Sequence, residues 1–170
     1  MVEFWLPAES SGEIVPIDRL EAASVLSGIA HWRRLCAGRR FPAKTDILPR
    51  EFGALLANMI LVKVLNGGED YEYRIVGDVL VSGFNENFAG RKVSDIIAAA
   101  PKFGLGLRML YEMVRSSGEP LGYRGWVGKD MKGAEFSYHE NALLPFGPDP
   151  AQVDHLLVVS VIVPQVAQAG

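Results

Sequence analysis

Two apolar runs constrain the fold of this chain more strongly than any other feature. Met59–Leu65 (MILVKVL) and Leu156–Val163 (LLVVSVIV) are almost continuous in apolar side chains and show no helical period. A strand that is apolar on both sides needs packing against both of its faces, so both runs are predicted to be central strands of a sheet. The chain has 170 residues, 49% of them apolar, which is enough for one domain with one core.

Turn signals and weaker patterns divide the rest of the chain. Asn66-Gly-Gly is a turn, and Tyr71–Val76 alternates as a half-buried partner strand would. Glycines then break the chain into short helices until Pro101, which begins a longer helix that Gly118 ends. Three more strands are predicted, at 121–127, 135–144 and 156–163. The prediction is an α+β fold, with a five-stranded antiparallel sheet, short helices and one longer helix on one face, and an N-terminal helix.

The N-terminal region is predicted in two parts. Residues 1–17 are expected to form an irregular arm and residues 18–40 a leading helix, followed by the main domain over 41–164 and a tail over 165–170. Asp18 and Glu21 have the spacing of a capping box at the start of that helix.

An apolar stripe follows the leading helix, with Val25, Ile29, Trp32 and Cys36 at helical spacing. We expect Val25, Ile29 and Trp32 to mediate a homodimer. The alternative is that the stripe packs on the chain's own sheet and is part of the core.

Composition limits the partners and the location. The formal net charge is −3, which gives no general attraction to nucleic acid or to an anionic membrane. No segment approaches the length of apolar sequence that crosses a bilayer, and the acidic N-terminus does not resemble a signal peptide. One cysteine excludes an internal disulfide. We expect a cytoplasmic protein that binds neither nucleic acid nor membrane.

Several local motifs resemble those of the PAS domain family. They are Tyr73–Asp78 (YRIVGD), Asn87–Ile96 (NFAGRKVSDI) and Glu140–Pro145 (ENALLP). In addition, Trp32–Arg39 (WRRLCAGR), with the prolines that follow it, is similar to a bacterial PAS subgroup that carries a leading helix. The resemblance implies two strands, a run of short helices and a three-strand meander around a cavity. It also implies a sensory or interaction module, often dimeric through the leading helix.

The resemblance raises the question of a cofactor, and the residues argue against the two usual ones. A flavin photosensor of this family needs a cysteine in the segment that corresponds to residues 84–90, which has none, and Cys36 precedes the domain. Haem-binding relatives often ligate iron through the long helix, and residues 101–117 contain no histidine. We therefore expect neither a cysteine–flavin adduct nor haem, and the cofactor, if there is one, is not identified. A sensor that holds haem or flavin without the usual ligands is a weaker alternative.

No catalytic motif is present, and an enzyme is not predicted. The chain lacks a nucleophile elbow, a paired zinc motif and a phosphate-binding loop. A cluster of five cations is the sharpest charge feature: Arg33, Arg34, Arg39, Arg40 and Lys44. It could bind an acidic partner or a phosphate-bearing nucleotide, or it could stabilise the dipole at a helix C-terminus.

The predicted cavity lies between the long helix and one face of the sheet. Its expected ligand-binding residues are Tyr73, Leu107, Tyr111, Trp126, His139 and Asn141, which place a few polar groups in an apolar wall. The function we expect is a non-enzymatic sensor that binds a small ligand and, because no output domain follows in this chain, signals by contact with another protein. The alternative is a dimerisation and interaction scaffold with a filled core.

Overall fold

The computed structural model describes residues 11–84, 86–126 and 136–164. Five helices lie within these ranges: α1 (Ala23–Cys36), α2 (Pro49–Phe52), α3 (Asp78–Phe84), α4 (Val93–Ala99) and α5 (Pro101–Ser117). Six strands accompany them: β1 (Ser11–Val15), β2 (Met59–Leu65), β3 (Asp70–Val76), β4 (Leu121–Trp126), β5 (Phe136–Phe146) and β6 (His155–Pro164). The described fold is therefore α+β, as predicted.

The strands form one open antiparallel sheet in the order β1-β4-β5-β6-β2-β3. β2 and β6 are neighbours in its interior, with Met59 opposite Val159. The two apolar runs of the sequence are thus adjacent interior strands, which confirms the reasoning from their composition.

Helices cover both faces of the sheet, so each face has its own core. The cavity face, as we call it, packs against α3, α4 and α5, with Tyr73, Leu110 and Val158 among its buried side chains. The α1 face packs against α1, with Leu144 and Val159 among its buried side chains. Alternation along each strand sends successive residues to opposite faces, which is why the run Leu156–Val163 of β6 is apolar on both sides, except at Ser160.

The sheet has one strand more than predicted. Ser11–Val15 lies in the predicted irregular arm but forms β1, which pairs along β4 from Ser11 opposite Trp126 to Val15 opposite Gly122. A β-carbon at Gly12 would clash with the hydroxyl end of the Tyr123 side chain, so glycine lets β1 pair with β4 without displacing that side chain. The partner strand is more than a hundred residues away in sequence, so local patterns do not reveal it. Residues 1–10 of the arm lie outside the described residues.

The leading helix is shorter than the predicted range 18–40, and its start is stabilised differently. Ile17–Arg19 forms a short 3-10 turn, and α1 begins at Ala23. Asp18 and Glu21 do not form the expected capping box. Instead the carboxylate of Glu140, in β5, accepts hydrogen bonds from the backbone N–H of Glu21 and of Ala22. A cap supplied by a distant strand replaces the local one.

The longer helix has the predicted bounds, with Pro101 in its first turn and Gly118 in the left-handed conformation just after its end. It crosses α4 closely at Gly104, where an added β-carbon would lie 2.6 Å from backbone atoms of Ile97. This close approach sets how α4 and α5 together lie over the cavity face.

Candidate functional site

A cavity of about 60 Å³ lies between α5 and the cavity face of the sheet. Its wall is mostly apolar, and among the described residues no lining side chain is acidic or basic. The apolar lining residues are Ile60, Phe88, Phe103, Leu107, Leu110, Leu143 and Val158, and the polar ones are Tyr73, Tyr111, Tyr123, Asn141 and Ser160. A few polar groups in an apolar wall are typical of a small-molecule site, although typical sites for drug-sized ligands are several times larger.

Two tyrosine hydroxyls meet at one part of this wall. Tyr73 comes from β3 and Tyr111 from α5, and their hydroxyl oxygens are 2.8 Å apart in a buried hydrogen bond. Burial raises the pKa of both phenols well above the ordinary value, so both keep their protons at any physiological pH. The pair is a neutral hydrogen-bonding group in an apolar wall.

A second polar group of the wall lies on two neighbouring strands in the centre of the sheet, β5 and β6. The Asn141 side chain in β5 accepts a hydrogen bond from the Ser160 hydroxyl at 2.6 Å. Its amide nitrogen donates to the Tyr123 carbonyl at 3.0 Å and lies 2.8 Å from Nδ1 of His139. Both amide hydrogens are therefore engaged, and the group can offer only acceptor lone pairs to the cavity.

His139 lies beside the cavity rather than in its wall. It is 3% exposed, and its ring lies 5.3 Å from that of Tyr123. Burial lowers the pKa of His139 to about 3, so the imidazole is neutral near pH 7. Since Asn141 donates to Nδ1, the ring proton is on Nε2.

The structure brings together four of the six predicted ligand-binding residues: Tyr73, Leu107, Tyr111 and Asn141 all line the cavity. His139 contacts it through Asn141. The side chain of Trp126 lies outside the described residues. That these residues bind a ligand stays a prediction.

Sequence reasoning missed several lining residues, chiefly Tyr123, Phe88 and Ser160. Ser160 had a signal, because it is the single polar residue in the otherwise apolar run of β6. For Tyr123 the sequence held no such signal. Alternation along β4 sends every second residue to the cavity face, but the sequence did not determine which residues those are. Phe88 precedes α4 in a segment with no regular pattern, and only the tertiary contact with Tyr73, 5.9 Å between rings, reveals it.

The apolar stripe of α1 is core, which corrects the dimer-interface expectation. Val25, Ile29 and Trp32 are at most 6% exposed and pack on the chain's own sheet. The indole nitrogen of Trp32 also donates to the carbonyl of Pro145, at 3.0 Å. Helical spacing alone cannot tell an internal apolar face from an interfacial one, so the sequence left this open.

Most of the basic cluster at the end of α1 has internal partners. Arg33 pairs with Asp18, Arg39 with Asp46 and Arg40 with Glu119. Arg39 also donates to carbonyls in the last turn of α1, those of Leu35 and Cys36. These contacts favour the explanation that the cations stabilise the helix end.

Histidine, cysteine and acidic side chains are the other groups of the described part of the chain that could hold a metal ion or react. No group of three histidine, cysteine or acidic side chains is placed there to hold a metal ion. Burial raises the pKa of the Cys36 thiol, which keeps it in its less reactive protonated form. Among the described helices, none has the length and apolar character needed to cross a bilayer.

Comparison of the chain with protein-family models, with curated proteins and with solved structures finds no match. The cavity and its surroundings are therefore the features that indicate a function.

Proposed function

We propose that this chain is a sensory module of the PAS type that binds a small molecule in the cavity between α5 and the sheet. The observation that carries the proposal is the cavity itself, into which four residues from β3, α5 and β5 converge as expected for a ligand site. The order of the described elements also supports it, since a hairpin, short helices, a longer helix and a three-strand meander follow one another along the chain.

Signal output in this proposal is a population shift. The cavity touches both α5 and five strands, so a ligand that fits one packing of the helices better than another would favour that packing. The altered surface would then change the affinity for a signalling protein in the cytoplasm. Equal partner affinity with and without ligand would refute this step.

The alternative proposal is an interaction scaffold whose core is filled. The small size of the cavity favours it, because about 60 Å³ leaves room for little more than a few water molecules. A homodimer is part of this proposal. Because the α1 stripe is buried, a second copy would have to contact another surface.

Native mass spectrometry of the freshly purified chain distinguishes the sensor proposal from the scaffold proposal. The sensor proposal predicts extra non-covalent mass that is released on denaturation, and loss of that mass in the cavity-filling variant Val158→Phe. Circular dichroism of the variant serves as the control for folding. A bare dimer in both proteins would favour the scaffold, and a bare monomer in both would contradict both proposals in their present form.

A further inference from the structure

The free hydrogen-bonding capacity of the cavity wall defines what it can bind. Each tyrosine hydroxyl has one hydrogen to donate, and the bond between Tyr73 and Tyr111 uses one of the two. Within the described residues neither hydroxyl has another partner. One O–H donor is therefore left at a buried position on the cavity wall, and a buried donor without a partner is costly.

The second polar group of the wall, Asn141 with Ser160, has no hydrogen left to donate to a ligand. Both amide hydrogens of Asn141 are used, and the hydroxyl hydrogen of Ser160 is given to Asn141 Oδ1. Of these two polar groups, the tyrosine pair is thus the one that has a hydrogen left to donate.

The charge and the size of the cavity further limit the class of ligand that it can bind. None of the described lining side chains is charged, so a bound anion or cation would lose its hydration without gaining a counter-ion from them. The volume of about 60 Å³ is well below the ~150 Å³ of an engineered apolar cavity that binds benzene. The occupant must be neutral and small.

We infer that the cavity binds a small, neutral, mainly apolar molecule whose oxygen acceptor, such as a carbonyl, takes the spare hydrogen of the Tyr73–Tyr111 pair. This inference rests on the proposed function and adds the ligand class to it. It makes a specific claim about the pair: either hydroxyl alone still has one hydrogen to donate, and only the loss of both removes the donor.

Three probe molecules of the same planar shape test the inferred ligand class: acetone, isobutene and acetate. Acetone has the carbonyl acceptor, isobutene has a methylene group in its place, and acetate is charged. Binding is followed by titration on the methyl NMR signals of Leu107, Leu110, Leu143 and Val158, with Val25 and Leu144 on the α1 face as internal controls.

We expect acetone to bind about threefold to tenfold more tightly than isobutene, as one net hydrogen bond allows, and acetate to cause no shift. The preference should persist in Tyr73→Phe and in Tyr111→Phe and disappear in the double variant. Replacing both partners by apolar groups of the same shape leaves the fold nearly unperturbed.

Equal binding of acetone and isobutene, a preference that survives in the double variant, or tightest binding of acetate would each overturn the inference. In those cases the cavity still takes a ligand, so the proposed function would stand. If none of the probes shifts the lining methyl signals, the cavity is closed, and the inference and the proposed function both fail.

Discussion

The carboxylate of Glu140 accepts a hydrogen bond from the backbone N–H of Ala22 at 2.8 Å, across 118 residues of sequence. The same oxygen accepts from the N–H of Glu21, and the other oxygen accepts from the hydroxyl of Tyr138. Glu140 is only 2% exposed, so these contacts satisfy both a buried carboxylate and the backbone N–H groups of the two residues just before α1. This residue joins the N-terminal helix to the middle of the sheet.

Removing this carboxylate should loosen the start of α1. We expect Glu140→Ala to lower the free energy of unfolding by about 2–4 kcal/mol, because two backbone donors lose their buried acceptor. Glu140→Gln keeps an acceptor oxygen and should cost about 1 kcal/mol. Urea unfolding measures both, and equal losses in the two variants would show that the hydrogen bonds to the backbone are not what matters.

Trp32 should behave as a core residue of the single chain. Trp32→Ala removes a large buried side chain and should lower the free energy of unfolding by about 3–5 kcal/mol. The matched variant Trp32→Phe keeps an aromatic ring but loses the hydrogen bond to Pro145, and should cost less. Sedimentation velocity gives the second readout: the oligomeric state should not change, and loss of a dimer with an unperturbed monomer would contradict the intramolecular packing.

His139 should make the fold sensitive to acid. Its pKa is about 3 in the folded chain and about 6.5 when unfolded, so between these values the unfolded chain binds a proton that the folded chain excludes. Stability therefore falls as the pH falls, by about 2 kcal/mol between pH 7 and pH 5, and this contribution is absent above pH 7.

The control for this prediction is His139→Gln, which does not titrate and can still accept from Asn141. Urea unfolding at pH 7 and at pH 5 should show a smaller loss in this variant than in the unsubstituted chain. Identical pH dependence in the two proteins would mean that His139 is not held neutral by burial.

Gly104 should tolerate no side chain where α5 crosses α4. Gly104→Ala gains helix propensity, but its β-carbon would press on the backbone of Ile97, which cannot rotate away. We expect a net loss of about 1–3 kcal/mol in the free energy of unfolding. Leu105→Ala, at the exposed next position, should change it by only about 0.5 kcal/mol. Equal small effects would show that the two helices can separate at little cost.

The sequence predicts those parts of the fold whose signals are local. The interior strands β2 and β6 follow from their apolar runs, and α5 from its proline start, its glycine end and the period between them. β1 and the cap on α1 depend instead on distant partners, Tyr123 for Gly12 and Glu140 for Ala22, and no pattern within either segment indicates them.

The same distinction applies to the site. Tyr73, Tyr111 and Asn141 were identifiable as polar residues expected on the cavity side of predicted elements. The hydroxyl pair and the Asn141–Ser160 bond were not, because they depend on which strands are neighbours and on how α5 lies over them. Likewise, helical spacing does not determine what the α1 stripe packs against. Only the tertiary structure shows that it packs on the chain's own sheet.

Xenon binding tests most directly whether this fold holds an accessible cavity, on which the proposed function depends. Small apolar cavities take up xenon without needing any polar contact. With rising xenon pressure, we predict saturable shifts in the methyl signals of Leu110, Leu143 and Val158, and none in those of Val25 and Leu144 on the opposite face of the sheet. Unshifted signals on both faces would mean that the core is filled, and would contradict the proposal that this chain senses a small molecule.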